Sequence, residues 1–474
     1  MKGIFAVLLM LGTYSLSYTQ TVKKIGFGET DRDTYRFFIG QQWDSLIITG
    51  QQALEANVDY FYLRLRMGIA YYNLENYMLA AHHLNKALQF NHSDKTTKEY
   101  LYFANKLINR TENAAKIYGG FSKQIRKQVD PHKTSGYAIL EVGQVFSNNI
   151  AKNDLKQQGR QAYYSEQDLY GDIFYRQAGA GVEIIPGISA YAGYNKLTID
   201  KLREFRTSEL VKTGDTGILV GNEIVQYNLY DTENQISSFP YKLYQDGLYL
   251  QAKLASVSGF LVSFAFHHLW IESTLWRAVP EAFYAQSFDT IPVNRFDIAE
   301  SNLSLTNSVY SVAVNKPIRN FYPGFEASWS DLNYDEQYQL TGKLYWYPSG
   351  NLNSYLGAAV TWAGSGDEGN PVYHFIAGIK IMKPIWLEAD ITSGHMLNFN
   401  ESNGYVVYNS GDVMKLKAGS NIFVTLSQRI EFFARYRILQ YETERINLHP
   451  NGLTNIQKLT YNNHSIMGGI QWKF

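Results

Sequence analysis

From about residue 115 onward, apolar residues recur at every second position in segments of ten residues or more. No other feature of the chain limits its fold as tightly. In "VMKLKAGSNIFVTL", Met414, Leu416, Ala418, Ser420, Ile422 and Val424 alternate with Lys415, Lys417, Gly419, Asn421, Phe423 and Thr425. In "RIEFFARYRIL", Ile430, Phe432, Ala434, Tyr436 and Ile438 alternate with Glu431, Phe433, Arg435 and Arg437. A soluble sandwich also alternates, but its strands run about five or six residues. Strands of about ten residues, apolar on one face and ending in aromatic residues, are the pattern of a bilayer-crossing sheet. Beyond the N-terminal segment no apolar run reaches the roughly 18 residues of a transmembrane helix. The remaining spanning solution is a closed barrel, in which every backbone group is paired by a neighbouring strand. The 37 tyrosines fit, because tyrosine favours both strands and the water–lipid boundary.

The N-terminus reads as a secretory signal peptide over residues 1–19. Lys2 precedes the apolar run Ile4 to Leu11, and Ser17 and Thr19 offer small residues before a cleavage ahead of Gln20. The chain has no cysteine, which excludes disulfides and a lipidated-cysteine anchor. An exported chain without disulfides fits a bacterium better than a eukaryotic secretory route. Lys+Arg and Asp+Glu both number 43, so a basic nucleic-acid-binding face is not expected.

Residues 20–114 follow a helical period. Gly68, Tyr71, Ala80, Leu84 and Ala87 place small residues where two helices would cross and large ones beside them. Shifted back by about 34 residues, Trp43 falls on the Tyr77 position and Ala53 on the Ala87 position; shifted forward, Tyr102 falls on Gly68. This stretch resembles the tetratricopeptide repeat, with departures at His92 and Gly50. The resemblance implies a protein-binding surface or a rigid spacer, and no chemistry. Residues 115–133 read as a linker, within which "KIYGGFSKQIRK" looks strand-like.

The barrel is expected over 134–474, with about fourteen strands and twelve to sixteen as the range. They fall near 134–147, 169–184, 188–199, 243–255, 260–275, 304–316, 320–330, 335–347, 352–363, 371–382, 385–396, 413–425, 428–441 and 460–474. The connections alternate short and long. Long ones are expected at 148–168, 200–242, 276–303, 397–412 and 442–459. Short turns belong to the periplasmic side, so parity puts both barrel ends and the helical domain there.

The last strand carries Phe474, Trp472 and Ile470 on one face. It resembles the C-terminal targeting strand of bacterial outer-membrane proteins, and the resemblance implies that the barrel-assembly machinery reads it. Lys415, Lys417, Glu431, Arg435 and Arg437 form the densest charge cluster expected in the lumen, with Arg176, Glu326 and Asp390 also expected there. Mixed signs favour a salt-bridged network over an ion-selective filter. No catalytic constellation, cofactor site or metal site is expected. His267 and His268 point to opposite faces of one strand, and His82 and His83 read as a solvated helix face.

Signal peptide, short helical domain and Tyr-rich barrel together resemble outer-membrane proteins of the Bacteroidota. The resemblance implies an integral outer-membrane barrel in contact with lipid, with periplasmic or outer-membrane protein partners held by the helical domain. The leading function is a non-catalytic subunit of an outer-membrane machine for barrel assembly, lipoprotein export or secretion. The alternative is a transport channel or porin.

Overall fold

A computed structural model of the chain describes residues 26–157, 164–221, 223–256, 258–284, 292–365, 368–448 and 454–474. The expected signal peptide, 1–19, lies outside them.

Among the described residues seven helices come first: α1 (Phe27–Ile39), α2 (Trp43–Glu55), α3 (Phe61–Asn73), α4 (Tyr77–Phe90), α5 (Lys95–Leu107), α6 (Thr111–Gly119) and α7 (Lys123–Val129). Side-chain caps fix several starts. Asn76 accepts the Leu79 N–H at 3.1 Å, and Asp94 accepts that of Thr97 at 2.7 Å. Leu46, Leu63, Met67, Ala70, Ala80 and Leu84 form the shared core, all fully buried. Glycine permits the close crossings. A Cβ on Gly50 would lie 2.6 Å from the Met67 sulfur, and one on Gly68 would lie 2.6 Å from Leu84 Cγ. The strand-like reading of "KIYGGFSKQIRK" is overturned, since the segment supplies the end of α6 and most of α7. Ser122 accepts the Ile125 N–H to start the second helix, and Tyr118, Phe121 and Ile125 pack against buried Tyr102. Two glycines and a serine inside a short alternation mark a helix break there, not a strand.

Sixteen strands follow: β1 (Gly136–Ser147), β2 (Tyr164–Ile185), β3 (Ile188–Val220), β4 (Glu223–Ala255), β5 (Leu261–Tyr284), β6 (Pro292–Asn315), β7 (Phe321–Leu332), β8 (Asp335–Trp346), β9 (Ser354–Ser365), β10 (Glu368–Met382), β11 (Ile385–Met396), β12 (Phe399–Glu401), β13 (Val406–Tyr408), β14 (Val413–Thr425), β15 (Ile430–Leu448) and β16 (Thr454–Lys473). Fourteen close an antiparallel barrel in chain order, while β12 and β13 pair only with each other. Closure joins β1 to β16, with Ala138 opposite Trp472 and Leu140 opposite Ile470. The Phe474 N–H donates to the Gly136 carbonyl at 2.9 Å. No free sheet edge remains at the seam.

Three of the expected long loops are taken up largely by strands among the described residues. Residues 200–220 and 223–242 continue β3 and β4, each 33 residues long, and their pairing runs to Val220 opposite Glu223. Residues 276–284 and 292–303 likewise extend β5 and β6, and 442–448 and 454–459 extend β15 and β16. About eleven residues suffice to cross a bilayer, so these hairpins stand well beyond it. Outside lipid a strand is free to be polar on both faces, which is why the sequence there lacks the apolar alternation. Between β1 and β2 a short helix, α8 (Asn149–Asn153), replaces part of the expected loop 148–168.

The outward wall is apolar. Leu140, Val142, Phe264, Phe325, Leu344, Leu356, Val360, Phe375, Ile391 and Ile466 are all exposed, while the alternate positions of the same strands face inward. A soluble protein would not leave so continuous a belt in water.

A hairpin across the barrel lumen

The connection 397–412 does not stand outside the barrel. Ser402 and Asn403 adopt φ of 56° and 60° and Gly404 a φ of 73°, a tight turn that brings β12 and β13 together. The hairpin points into the lumen. Its base packs on Val372, Met396, Met414, Leu439, Tyr441 and Tyr461, a buried apolar cluster. Its tip is held by polar groups. The Asn403 N–H donates to Glu326 at 2.8 Å, and His267 Nδ1 lies 2.8 Å from the Gly404 carbonyl. The Tyr249 hydroxyl donates to the Asn403 carbonyl at 3.4 Å, and Gln177 bonds the Tyr405 hydroxyl. On the way in, Asn409 donates to Gln245 at 2.8 Å and accepts through its carbonyl from Asn333 at 2.7 Å. Counting round the closed circuit, β4 and β5 lie about half-way from β11 and β14, where the hairpin is rooted. It therefore crosses the full diameter.

Several charges in the lumen are matched in pairs. Lys417 pairs with Glu401 of the hairpin, Arg435 with Glu141 at 2.5 Å, and Arg437 with Asp390 at 2.9 Å. Lys343 lies 3.3 Å from Glu326. Glu431 lies nearer the barrel's turn end, with the Thr425 hydroxyl 3.4 Å away. Two expectations fail. A β-bulge between Met414 and Leu416 shifts the pairing by one residue, so Met414 turns inward and Lys415 pairs with Glu442 on the outer wall at 3.6 Å. Arg176 also faces outward, exposed, because a register shift between Tyr170 and Ile173 precedes it and buried Gln177 takes the inner face.

The helical domain sits on the mouth at the short-turn end. The Met78 N–H donates to the Gly350 carbonyl at 2.9 Å, and Asn351 donates to the Glu75 carbonyl at 3.1 Å. Arg110 reaches the Gly259 carbonyl at 3.0 Å, and Lys116 the Ala255 carbonyl at 2.9 Å. Burial lowers the Arg110 pKa to about 10. Ser189 donates to Glu112 at 2.9 Å. The contacts thus span the turns after β2, β4 and β8.

The residues singled out in the helical domain divide in two. Ala53, Gly68, Tyr71, Ala80, Leu84 and Ala87 are buried, with Trp43 and Tyr77 packed beside them. Tyr102 belongs to a separate cluster, where its hydroxyl donates to Asp130 at 2.5 Å. His83 is buried against Tyr71, with ring centroids 5.2 Å apart. Burial drives its pKa down to about 3, and that of His82 is lowered for the same reason. In the barrel, His267 faces the lumen and His268 bonds Ser308 on the other face. Among the described residues no group of three or more His, Asp or Glu side chains is gathered as a metal site would need.

No family model matches the chain, and no curated protein matches it. Solved structures with a related layout include an autotransporter translocator, a FadL homologue and a porin. A Pseudomonas aeruginosa FadL homologue is 8% identical, with 77% of this chain and 94% of that chain covered and a TM-score of 0.41. The translocator domain of autotransporter NalP from Neisseria meningitidis is 11% identical over 78% of this chain and 100% of that one, with a TM-score of 0.30. An anion-selective porin from Comamonas acidovorans is 9% identical over 72% and 99%, also at 0.30. Identities and TM-scores this low carry no function across.

The hairpin itself was missed in the sequence. Its signal was "ESNGYVVY", an Asn-Gly turn followed by an alternating triplet, too short to span a membrane.

Proposed function

We propose that this chain is an integral outer-membrane barrel, shut at rest, that acts as a non-catalytic subunit of a multiprotein outer-membrane machine. The apolar outer belt supports the membrane, and the export signal and terminal aromatic strand support the outer one. The helical domain, resembling tetratricopeptide repeats, is the docking element on the periplasmic side. The observation that carries the reading is the hairpin 397–412 spanning the lumen, with its Glu401 answering Lys417. A barrel filled in this way, with its mouth against a helical domain, suits anchoring and assembly better than free diffusion.

The second reading is a gated transport channel. It is favoured by the polar character of the hairpin's anchors at the tip, which water could replace as the hairpin withdraws. Affinity purification of tagged full-length protein from solubilised outer membranes separates the two. A stoichiometric protein partner, lost when residues 26–129 are deleted from a still-inserted barrel, supports the subunit. Recovery of the chain alone, together with solute uptake that depends on the hairpin, supports the channel.

A further inference from the structure

The outward face of β2 to β5 gathers several alanines near the short turns. Pairing aligns its outward residues in rows across the four strands. One row near the short turns is Val182, Ala190, Ala252 and Phe264; the next away from the turns is Ala180, Ala192, Leu250 and Phe266. The alanines leave a depression of about 520 Å³ walled by Val182, Leu250, Phe264 and Phe266. Two rows further along, Arg176 stands beside Lys196, and Lys196 beside Asp246. Lys196 and Asp246 form an ion pair at 3.3 Å, and the Tyr194 hydroxyl donates to Asp246 at 2.5 Å. Among the described residues no carboxylate lies within ion-pair distance of Arg176, which leaves the row with a net positive charge. Trp270 closes the row on β5.

Depth decides what this face meets. Arg176 lies nine positions from Ile185 at the end of β2. At about 3.3 Å per residue and a tilt of about 40°, that is roughly 23 Å from the turn end. The apolar band of such barrels is about 25 Å tall. Arg176 and Lys196 therefore stand at the far boundary of the hydrocarbon, with the alanine depression inside it. On the orientation proposed above, that boundary belongs to the outer leaflet.

We propose that this face is a binding site for a phosphorylated, multiply acylated glycolipid of the outer leaflet. Its phosphate sits on Arg176 and Lys196, and acyl chain fills the depression over Ala180, Ala190, Ala192 and Ala252. Charge complementarity selects the headgroup, since a zwitterionic phospholipid offers its phosphate together with a neutralising cation. The depression adds contact that a bulkier wall would refuse, because close-packed apolar atoms gain dispersion energy that a void forfeits.

The site rests on the outer-membrane orientation proposed above, and the experiment keeps the two apart. Full-length protein released from detergent is examined by native mass spectrometry after incubation with bisphosphorylated lipid A, its dephosphorylated form, or phosphatidylethanolamine. One lipid A should stay bound under activation that strips phosphatidylethanolamine. The double variant Arg176→Gln, Lys196→Gln should retain it at least ten-fold less, as should Ala252→Leu, with heat-modifiability verifying that each variant is folded. Equal retention by the double variant, or of the dephosphorylated lipid, overturns the site. Orientation is read separately by maleimide labelling of Thr213→Cys and Ser93→Cys in intact cells. Labelling of Ser93→Cys alone overturns the orientation and the site with it. Labelling of Thr213→Cys alone, with no retained lipid A, overturns only the site.

Discussion

His83 shows how one buried side chain ties the helical domain to pH. Its ring packs on Tyr71, and its Nδ1 takes the Arg64 guanidinium at 3.2 Å. In an unfolded chain a histidine titrates near 6.5, whereas burial holds His83 neutral down to about 3. As pH falls through that window the unfolded chain binds a proton that the folded domain refuses. Stability is therefore lost on acidification, by at most about 1.4 kcal/mol per pH unit. The thermal midpoint of the helical transition should fall between pH 7 and 5 in the native protein, and less steeply in His83→Gln. Equal slopes in the two would remove His83 from the account. Gly350 gives a second residue-scale outcome. Its φ is +65°, and a Cβ there would come within 1.8 Å of Asn76 Oδ1. Gly350→Val should loosen the helical domain from the barrel and leave the barrel heat-modifiable, seen as faster proteolysis between α7 and β1; unchanged cleavage would contradict the contact. Single residues were also where the sequence misled most. The outward turns of Lys415 and Arg176 depend on bulges, and a bulge shifts facing by one without altering the apolar count on either side.

Among the elements, the membrane-crossing part of β16 from about residue 460 was legible, because its alternation is unbroken and its pairing with β1 leaves no edge. Removing Phe474, or Phe474 with Trp472, deletes the bonds from Phe474 to Ser135 and Gly136 along with the aromatic end. Outer-membrane levels of heat-modifiable barrel should drop several-fold on immunoblots; normal levels would contradict the closing role. The membrane-crossing segments of the other strands were legible for the same reason, since lipid on one side enforces the period. Beyond the bilayer that pressure ends, so the outer halves of β3 to β6 looked like loops. The hairpin at 399–408 was hidden by its shortness, and its destination rests on partners such as Gln177 and His267, more than a hundred residues away in the chain. The helices of α6 and α7 were obscured by a brief alternation that tertiary packing on Tyr102 overrides.

At the scale of the whole molecule, the barrel's own hairpin fills its lumen. Glu401 of the hairpin pairs with Lys417 of the wall, and the hairpin's anchors lie half-way round the circuit from its root. The mixed signs of the lumen residues favoured a network over a filter, and could not say which segment fills the space. The direct measurement is planar-bilayer conductance of the purified protein, compared with a variant in which 399–408 is replaced by a short Gly-Ser linker. The native protein should give little steady current, and the variant should give stable openings of a size fitting a fourteen-strand barrel. Large, steady conductance from the native protein, unchanged in the variant, would contradict it.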